Sequence, residues 1–317
     1  MNKNKWIKIF LYGFASVVVA NFSLKYFLTQ VSIDSVKKDP ALGWDFSGYR
    51  KKNFNDLGFR TLDDSSTIKS SGKRPIVFLG NSVVAGDSLS YKEAFPHLIN
   101  KYLDSRYIAL NAGSEGYEIF RENLKYQRDY SQVNPKIVVW FPSTNDYQKK
   151  SDVFNNFVQT AEAQGTQKKF FSFKLNKGFN LLAAKIQNFK EVMTEKFLWS
   201  QKNNQYTDPL LKSLPKDNLS TLVNEIQNMN NFMIKNNTKL IVVFIPPHYF
   251  CKYLRWEDAK SFIELKNELK KMEIPTISLF DKLPCRDKLL YEDYVHFNKE
   301  GHEELAKLLS IELKPYL

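Results

Sequence analysis

Ile76-Val77-Phe78-Leu79-Gly80-Asn81-Ser82 is the stretch whose reading decides the fold. An unbroken run of β-branched, aromatic and aliphatic residues ends at a glycine and two small polar residues, which reads as a strand running into a tight turn. A strand that is apolar at every position, rather than at alternate ones, is covered on both faces. The same grammar recurs downstream. Tyr107 to Leu110 runs into Asn111-Ala112-Gly113, and Ile137 to Phe141 runs into Pro142-Ser143-Thr144-Asn145-Asp146. Leu240 to Ile245 runs into Pro246-Pro247-His248, and Thr276 to Phe280 makes a fifth run.

Between these runs the spacing becomes helical. Phe95, Leu98, Ile99 and Leu103 share one face of a helix predicted over 91–103. Residues 119–130, 222–234, 259–272 and 300–313 also read as helices. This alternation predicts an α/β fold, a doubly wound five-stranded parallel sheet with helices on both faces. Sites in such folds form beyond the carboxyl ends of the strands, where the strand order reverses. The polar clusters above each follow a strand, so they are expected on one rim.

The rest of the chain is read as attachments to a main domain at 73–317. Residues 147–216 are rich in Lys, Asn, Gln and Phe, and Phe179, Leu182, Ile186, Phe189 and Val192 recur at helical spacing. They predict a helical insertion after the third strand. Residues 29–72 are polar and punctuated by Gly, Ser and Asp, and read as a linker with a small N-terminal attachment.

At the start, Lys3, Lys5 and Lys8 precede an apolar run from Ile9 to Phe22, and Lys25 follows it. That is the grammar of an export signal. The strict run is short of the roughly 20 residues that span a bilayer. Trp6 to Leu28 reaches that length if the lysines snorkel, while Val18-Val19-Ala20 offers a cleavage site. Residues 1–28 therefore read as a membrane anchor or a cleaved signal peptide. Either places the rest outside the cytoplasm, on the periplasmic or cell-surface side, or secreted. Export would permit a disulfide between Cys251 and Cys285, whose segments are both expected to end near the same rim; two separate thiols is the alternative.

The chain of 317 residues carries a net charge of +12, spread without a dense basic run or a standard nucleic-acid motif. No nucleic-acid partner is expected from it. His296 and His302 are not at zincin spacing, and the two cysteines lie far apart, so no metal and no cofactor are expected.

What the rim offers is nucleophilic chemistry. A hydroxyl nucleophile needs a base to take its proton, an acid to orient that base, and donors for the oxyanion. Ser82 follows a glycine at a strand end, where a short side chain projects over the rim. Gly116 offers a bare backbone N–H, and Asn145 a side-chain amide. Asp293 and His296 are three apart, a spacing that lets a carboxylate hold an imidazole. Each alone has a bland reading as a turn or a cap; their order along one rim is what carries weight.

Taken in order, these blocks resemble the SGNH hydrolases, also called GDSL esterases and lipases. The resemblance runs over roughly Pro75 to Leu313 apart from the insertion. It implies Ser82 as nucleophile, Asp293 and His296 as its partners, and an oxyanion hole of Ser82, Gly116 and Asn145. It also implies a flavodoxin-like sheet. Upstream, Asn55-Asp56-Leu57-Gly58-Phe59-Arg60 looks like a segment that precedes the core in many bacterial members.

There are departures from the family pattern. Asn81 stands where the family has aspartate, although an amide oxygen can still accept a hydrogen bond there. Ser143 stands where glycine is common and is expected to crowd the site slightly. A literal Gly86-Asp87-Ser88 has no strand end of its own and is set aside.

The resemblance implies an esterase acting on an ester-bearing substrate, with O-acetyl groups of an envelope or extracellular glycan the favoured target. Trp140, Tyr147, Tyr249, Tyr253 and Trp256 are read as an aromatic rim suited to sugars. A lipase, thioesterase or acyltransferase, with the insertion as a lid, is the alternative, and a non-catalytic glycan-binding module a further one.

Overall fold

The computed structural model describes residues 37–49, 52–143, 146, 213–253, 256–284, 289–293 and 295–317. All belong to the unit spanning Lys37–Val153 and Thr207–Leu317; the other unit, Met1–Val36 with Phe154–Tyr206, lies outside the described residues. So do the N-terminal segment 1–28 and nearly all of the insertion expected at 147–216. Among the described residues, no helix is long and apolar enough to cross a membrane.

The strands are β1 (Lys37–Asp39), β2 (Gly43–Asp45), β3 (Arg74–Gly80), β4 (Tyr107–Gly113), β5 (Ile137–Trp140), β6 (Lys239–Phe244) and β7 (Thr276–Ser278). β1 and β2 form an antiparallel pair. The other five make one parallel sheet in the order β4-β3-β5-β6-β7. The alternation predicted a doubly wound parallel sheet, and this order is one. The chain steps outward from β3 to β4, then returns across β3 to β5. The crevice beyond the carboxyl ends of β3 and β5 is therefore the switch point at which ligands bind in such sheets.

The helices are α1 (Ser65–Ser70), α2 (Ser82–Ala85), α3 (Phe95–Leu98), α4 (Ile119–Arg128), α5 (Lys216–Lys235), α6 (His248–Tyr253), α7 (Lys260–Lys271) and α8 (Lys299–Glu312). Successive strand residues point to opposite faces, and here both faces are dry. Val77, Leu79, Val138, Trp140, Leu240, Val242 and Phe244 pack with residues of α4, α5 and α7. Ile76, Phe78, Ile137, Val139, Ile241 and Val243 pack with α3 and α8. This two-sided burial is the physical content of the unbroken apolar runs. Truncating one such side chain to alanine costs about 2–5 kcal/mol.

Several elements differ from the sequence reading: α5 starts at Lys216, six residues before the helix read over 222–234, β7 ends at Ser278, and α6 was not expected. The helix predicted over 91–103 is three short pieces, a 3-10 turn at Tyr91–Glu93, then α3, then a 3-10 turn at Ile99–Lys101. Pro96 has no N–H and is tolerated only in a first helical turn, so the helix restarts just before it. β4 runs past Leu110 to Gly113 because Asn111, polar but buried, finds partners inside. Its Nδ2 donates to the Ala85 carbonyl at 3.2 Å and its Oδ1 accepts from Gly113 N at 3.0 Å.

The stretch expected as a linker and attachment is packed onto the sheet domain over its described residues. Trp44, Phe46, Phe54, Leu57 and Phe59 are buried, and Leu57, Phe59 and Ile68 join the core beside Tyr130 and Val133. Ion pairs complete the attachment. The buried Lys125 ammonium of α4 meets Asp45 at 2.7 Å and Asp129 at 2.6 Å. Arg128 reaches Asp39 and Asp45 of the β1–β2 hairpin. Its polar composition hid this role, because the polar groups are spent on buried partners.

Candidate active site

Ser82 is the first residue of α2, directly beyond the end of β3. Asn81 caps that helix, its side-chain oxygen accepting from Val83 N at 3.0 Å. The amide thus fills the acceptor role that an aspartate would. The helix is one turn long and closes at Gly86, which is left-handed at φ 64° and donates its N–H to the Ser82 carbonyl at 3.0 Å. The end of β4 lies against it. A Cβ on Gly113 would fall 2.1 Å from Ala85 N, so only glycine allows this approach.

Asp293 and His296 sit on a loop between β7 and α8. The loop is pinched by an antiparallel bridge between Tyr291 and Phe297 and by Glu292 N donating to the His296 carbonyl at 2.9 Å. Asn298 then caps α8, accepting from Gly301 N at 2.8 Å. Within the loop, Asp293 Oδ1 accepts from Val295 N at 2.9 Å and from His296 N at 2.8 Å. Its Oδ2 lies 2.8 Å from His296 Nδ1. His296 Nε2 lies 2.9 Å from Ser82 Oγ. With Nδ1–H donating to the carboxylate, Nε2 is left as the acceptor for the serine hydroxyl.

The electrostatics suit that arrangement. Burial works to raise the Asp293 pKa, but hydrogen bonds and charge from His296, with the two backbone N–H groups, hold it below its ordinary 3.8. Burial works to lower the His296 pKa, but Asp293 outweighs it, with smaller help from Asp87 and Glu115, and the imidazole is raised above its ordinary 6.5. Asp87 and Glu115 are joined by Lys52 Nζ at 3.2 and 3.3 Å. The literal Gly86-Asp87-Ser88 therefore lies after α2, with its aspartate in this charged cluster.

Gly116 lies in the turn after β4 at φ 75°, a backbone conformation that favours glycine. The turn is held by Tyr117 N donating to the Ser114 carbonyl at 3.2 Å, and Ser114 N donates to the Gly80 carbonyl at 2.9 Å. Trp44 adds a hydrogen bond from Nε1 to the Glu115 carbonyl at 3.1 Å. Gly116 and Ser82 thus follow the ends of neighbouring strands paired Gly80 to Gly113. Asn145 lies outside the described residues. Its neighbour Asp146 is buried and accepts from Ser143 N at 2.5 Å and from Ile119 N at 2.6 Å. The Ser143 hydroxyl turns to the same carboxylate at 3.2 Å, so it has a partner there.

The aromatic rim read from the sequence needs correcting. Trp140 is fully buried in the core, where its Nε1 donates to Glu122 Oε2 at 2.7 Å. Trp256 packs among Phe244, Phe262 and Phe280. Tyr147 lies outside the described residues. His248 stacks on Tyr291 with ring centroids 5.1 Å apart. Cys251 is buried and disulfide-bonded, and Cys285 lies outside the described residues.

Sequence reasoning attached no role to Arg60, Asp146 or the buried Glu122. Arg60 and Asp146 each carry a signal, the first at the end of Asn55-Asp56-Leu57-Gly58-Phe59-Arg60 and the second at the end of Ser143-Thr144-Asn145-Asp146; Glu122 carries none.

No family model matches the sequence, and no curated protein does. Solved structures do match. A GDSL-like lipase from Bacteroides thetaiotaomicron is 15% identical with a TM-score of 0.41, over 78% of this chain and 91% of its own. A lipase/acylhydrolase from Enterococcus faecalis is 16% identical with a TM-score of 0.43, over 77% and 97%. An acetyl xylan esterase is 14% identical with a TM-score of 0.45, over 75% and 99%.

Proposed function

We propose that this chain is a serine esterase of the SGNH/GDSL type. The observation that carries the reading is the chain of contacts from Ser82 Oγ through His296 to Asp293, at 2.9 and 2.8 Å. His296 takes the Ser82 proton as Oγ attacks the ester carbonyl. The N–H groups of Ser82 and Gly116 and the Asn145 amide stabilise the oxyanion. Asp293 stabilises the imidazolium, which then protonates the departing alcohol. Water, activated by His296, releases the acyl group; a sugar hydroxyl taking its place would make the enzyme a transferase.

The favoured substrate is an O-acetyl group on an envelope or extracellular glycan. Support comes from the charge around His296, since Asp87, Glu115 and Lys52 make a polar neighbourhood suited to hydroxyl-bearing alcohols. In this reading residues 1–28 hold the enzyme outside the cytoplasm, as their charge arrangement suggests. Fusing them to a reporter that is active only after export tests that part.

The chemistry is tested by fluorophosphonate labelling and by hydrolysis of aryl esters of increasing acyl length. Wild type is labelled and prefers acetate, while Ser82→Ala is neither labelled nor active. Full activity in Ser82→Ala removes the assignment, and a preference for long chains removes the glycan reading.

A further inference from the structure

We propose that Arg60 is a positioning residue for Ser82, acting through α2, so that the segment preceding the sheet domain takes part in the reaction. The inference rests on the esterase reading above.

The observation is a three-point grip on the far end of the nucleophile's helix. Arg60 is buried, and its Nη1 donates to the Ala85 carbonyl at 2.5 Å and the Gly86 carbonyl at 2.7 Å. Its Nη2 donates to the Leu89 carbonyl at 2.5 Å. Carbonyls at the end of a helix have no partner within it, and α2 is too short to hold itself. Asn111 bonds the same Ala85 carbonyl from β4. Ser82 is thus seated between β3 before it and a guanidinium fork behind it.

The upstream segment is shaped to deliver that fork. Asn55 Oδ1 accepts from Leu57 N at 3.1 Å and from Phe59 N at 2.9 Å, folding the loop on itself. Gly58 turns it at φ 90°. Phe59 anchors it against Tyr130, ring centroids 4.6 Å apart. Arg60 N then bonds the Asn111 carbonyl at 2.8 Å, which points the side chain towards α2. A lysine offers a single ammonium in place of this planar fork and cannot reproduce its geometry. The same segment supports the neighbouring turn, where Trp44 holds Glu115 beside Gly116.

The consequence is positional. The Ser82–His296 contact spans 2.9 Å between groups from opposite ends of the chain. A displacement of about 1 Å at a reacting group costs on the order of a hundredfold in rate.

The test is the rate constant of fluorophosphonate labelling, which reports the geometry of folded sites, whereas the labelled amplitude reports how many are folded. Arg60→Met is expected to label about tenfold more slowly or worse, and Arg60→Lys to recover part of the loss. A folded Arg60→Met that labels at the wild-type rate overturns the role. If Arg60→Met does not fold, Arg60→Lys decides: slower labelling supports the role and a wild-type rate overturns it. Failure of the esterase reading shows differently, as wild type that never labels or labelling that survives Ser82→Ala, and it takes this inference with it.

Discussion

Asp293 grips His296 at two points: its Oδ1 accepts the histidine's backbone N–H at 2.8 Å while its Oδ2 faces Nδ1 of the ring at 2.8 Å. One carboxylate therefore both shapes the loop and sets the tautomer. Asparagine would keep the loop contact but could present an N–H to the ring. Asp293→Asn should thus lower kcat by on the order of 10⁴ with little change in thermal midpoint. Asp293→Ala should match that loss and also cost about 1 kcal/mol of stability. An Asp293→Asn variant with near wild-type turnover of an aryl acetate would contradict this.

Activity and stability should run in opposite directions near neutral pH. The His296 pKa is raised despite burial, chiefly by Asp293. Turnover needs the neutral ring, so kcat/KM should fall in acid with a midpoint above 6.5. Because the folded pKa is the higher one, the same group stabilises the protein most below its unfolded pKa. That contribution fades as pH rises through the folded value. Asp87→Asn or Glu115→Gln should move the activity midpoint downward. A pH-rate profile of the three proteins checks this.

Glu122 is buried, and burial followed by the charge of Asp146 raises its pKa well above 4.5. Asp146 itself is pushed up to about 7, mainly by burial. Both raised values favour the protonated folded state, so they stabilise at low pH and lose that effect as pH rises. Glu122→Gln retains an acceptor for Trp140 Nε1 and removes one ionisable group. It should be neutral at pH 5 and stabilising at pH 8 by about 1 kcal/mol or more, the scale of one pKa unit. Urea melts at the two pH values decide; equal differences would refute the coupling.

Gly113→Ala should damage both fold and site. Its added Cβ would meet backbone, 2.1 Å from Ala85 N and 2.6 Å from Ala85 Cα, so α2 must move. The expected cost is about 3 kcal/mol, at the upper end of overpacking effects, with activity lost further than the folded fraction explains. Thermal unfolding beside active-site titration separates the two.

The sheet was legible because its signals are local. A strand buried on both faces must be apolar where it is buried, and β5 is so throughout, β3 from Pro75 and β6 from Leu240, each of these two after one exposed basic residue. The Asp293–His296 pair was legible for the same reason, since four consecutive residues of one loop carry both ends of the contact. Helix 91–103 misled because its apolar spacing outweighed the single Pro96. Trp140 misled because an aromatic beside a polar strand end looks like a rim residue, whereas its ring is the last inward step of β5 and its indole N–H is bound by Glu122.

From the sequence alone came the alternating α/β architecture and the strand-end turns that hold Ser82, Gly116 and the Asp293–His296 loop. These are dictated by periodicity and by backbone demands within a few residues. Only the tertiary structure decided that His296 meets Ser82 across 214 residues of chain, at 2.9 Å. It alone showed that the polar stretch before β3 is packed into the core and places Arg60 under the helix of Ser82. A polar side chain's composition does not name its partner; the partner is chosen by the path of the backbone, which brings a buried donor to carbonyls that would otherwise be left unpaired.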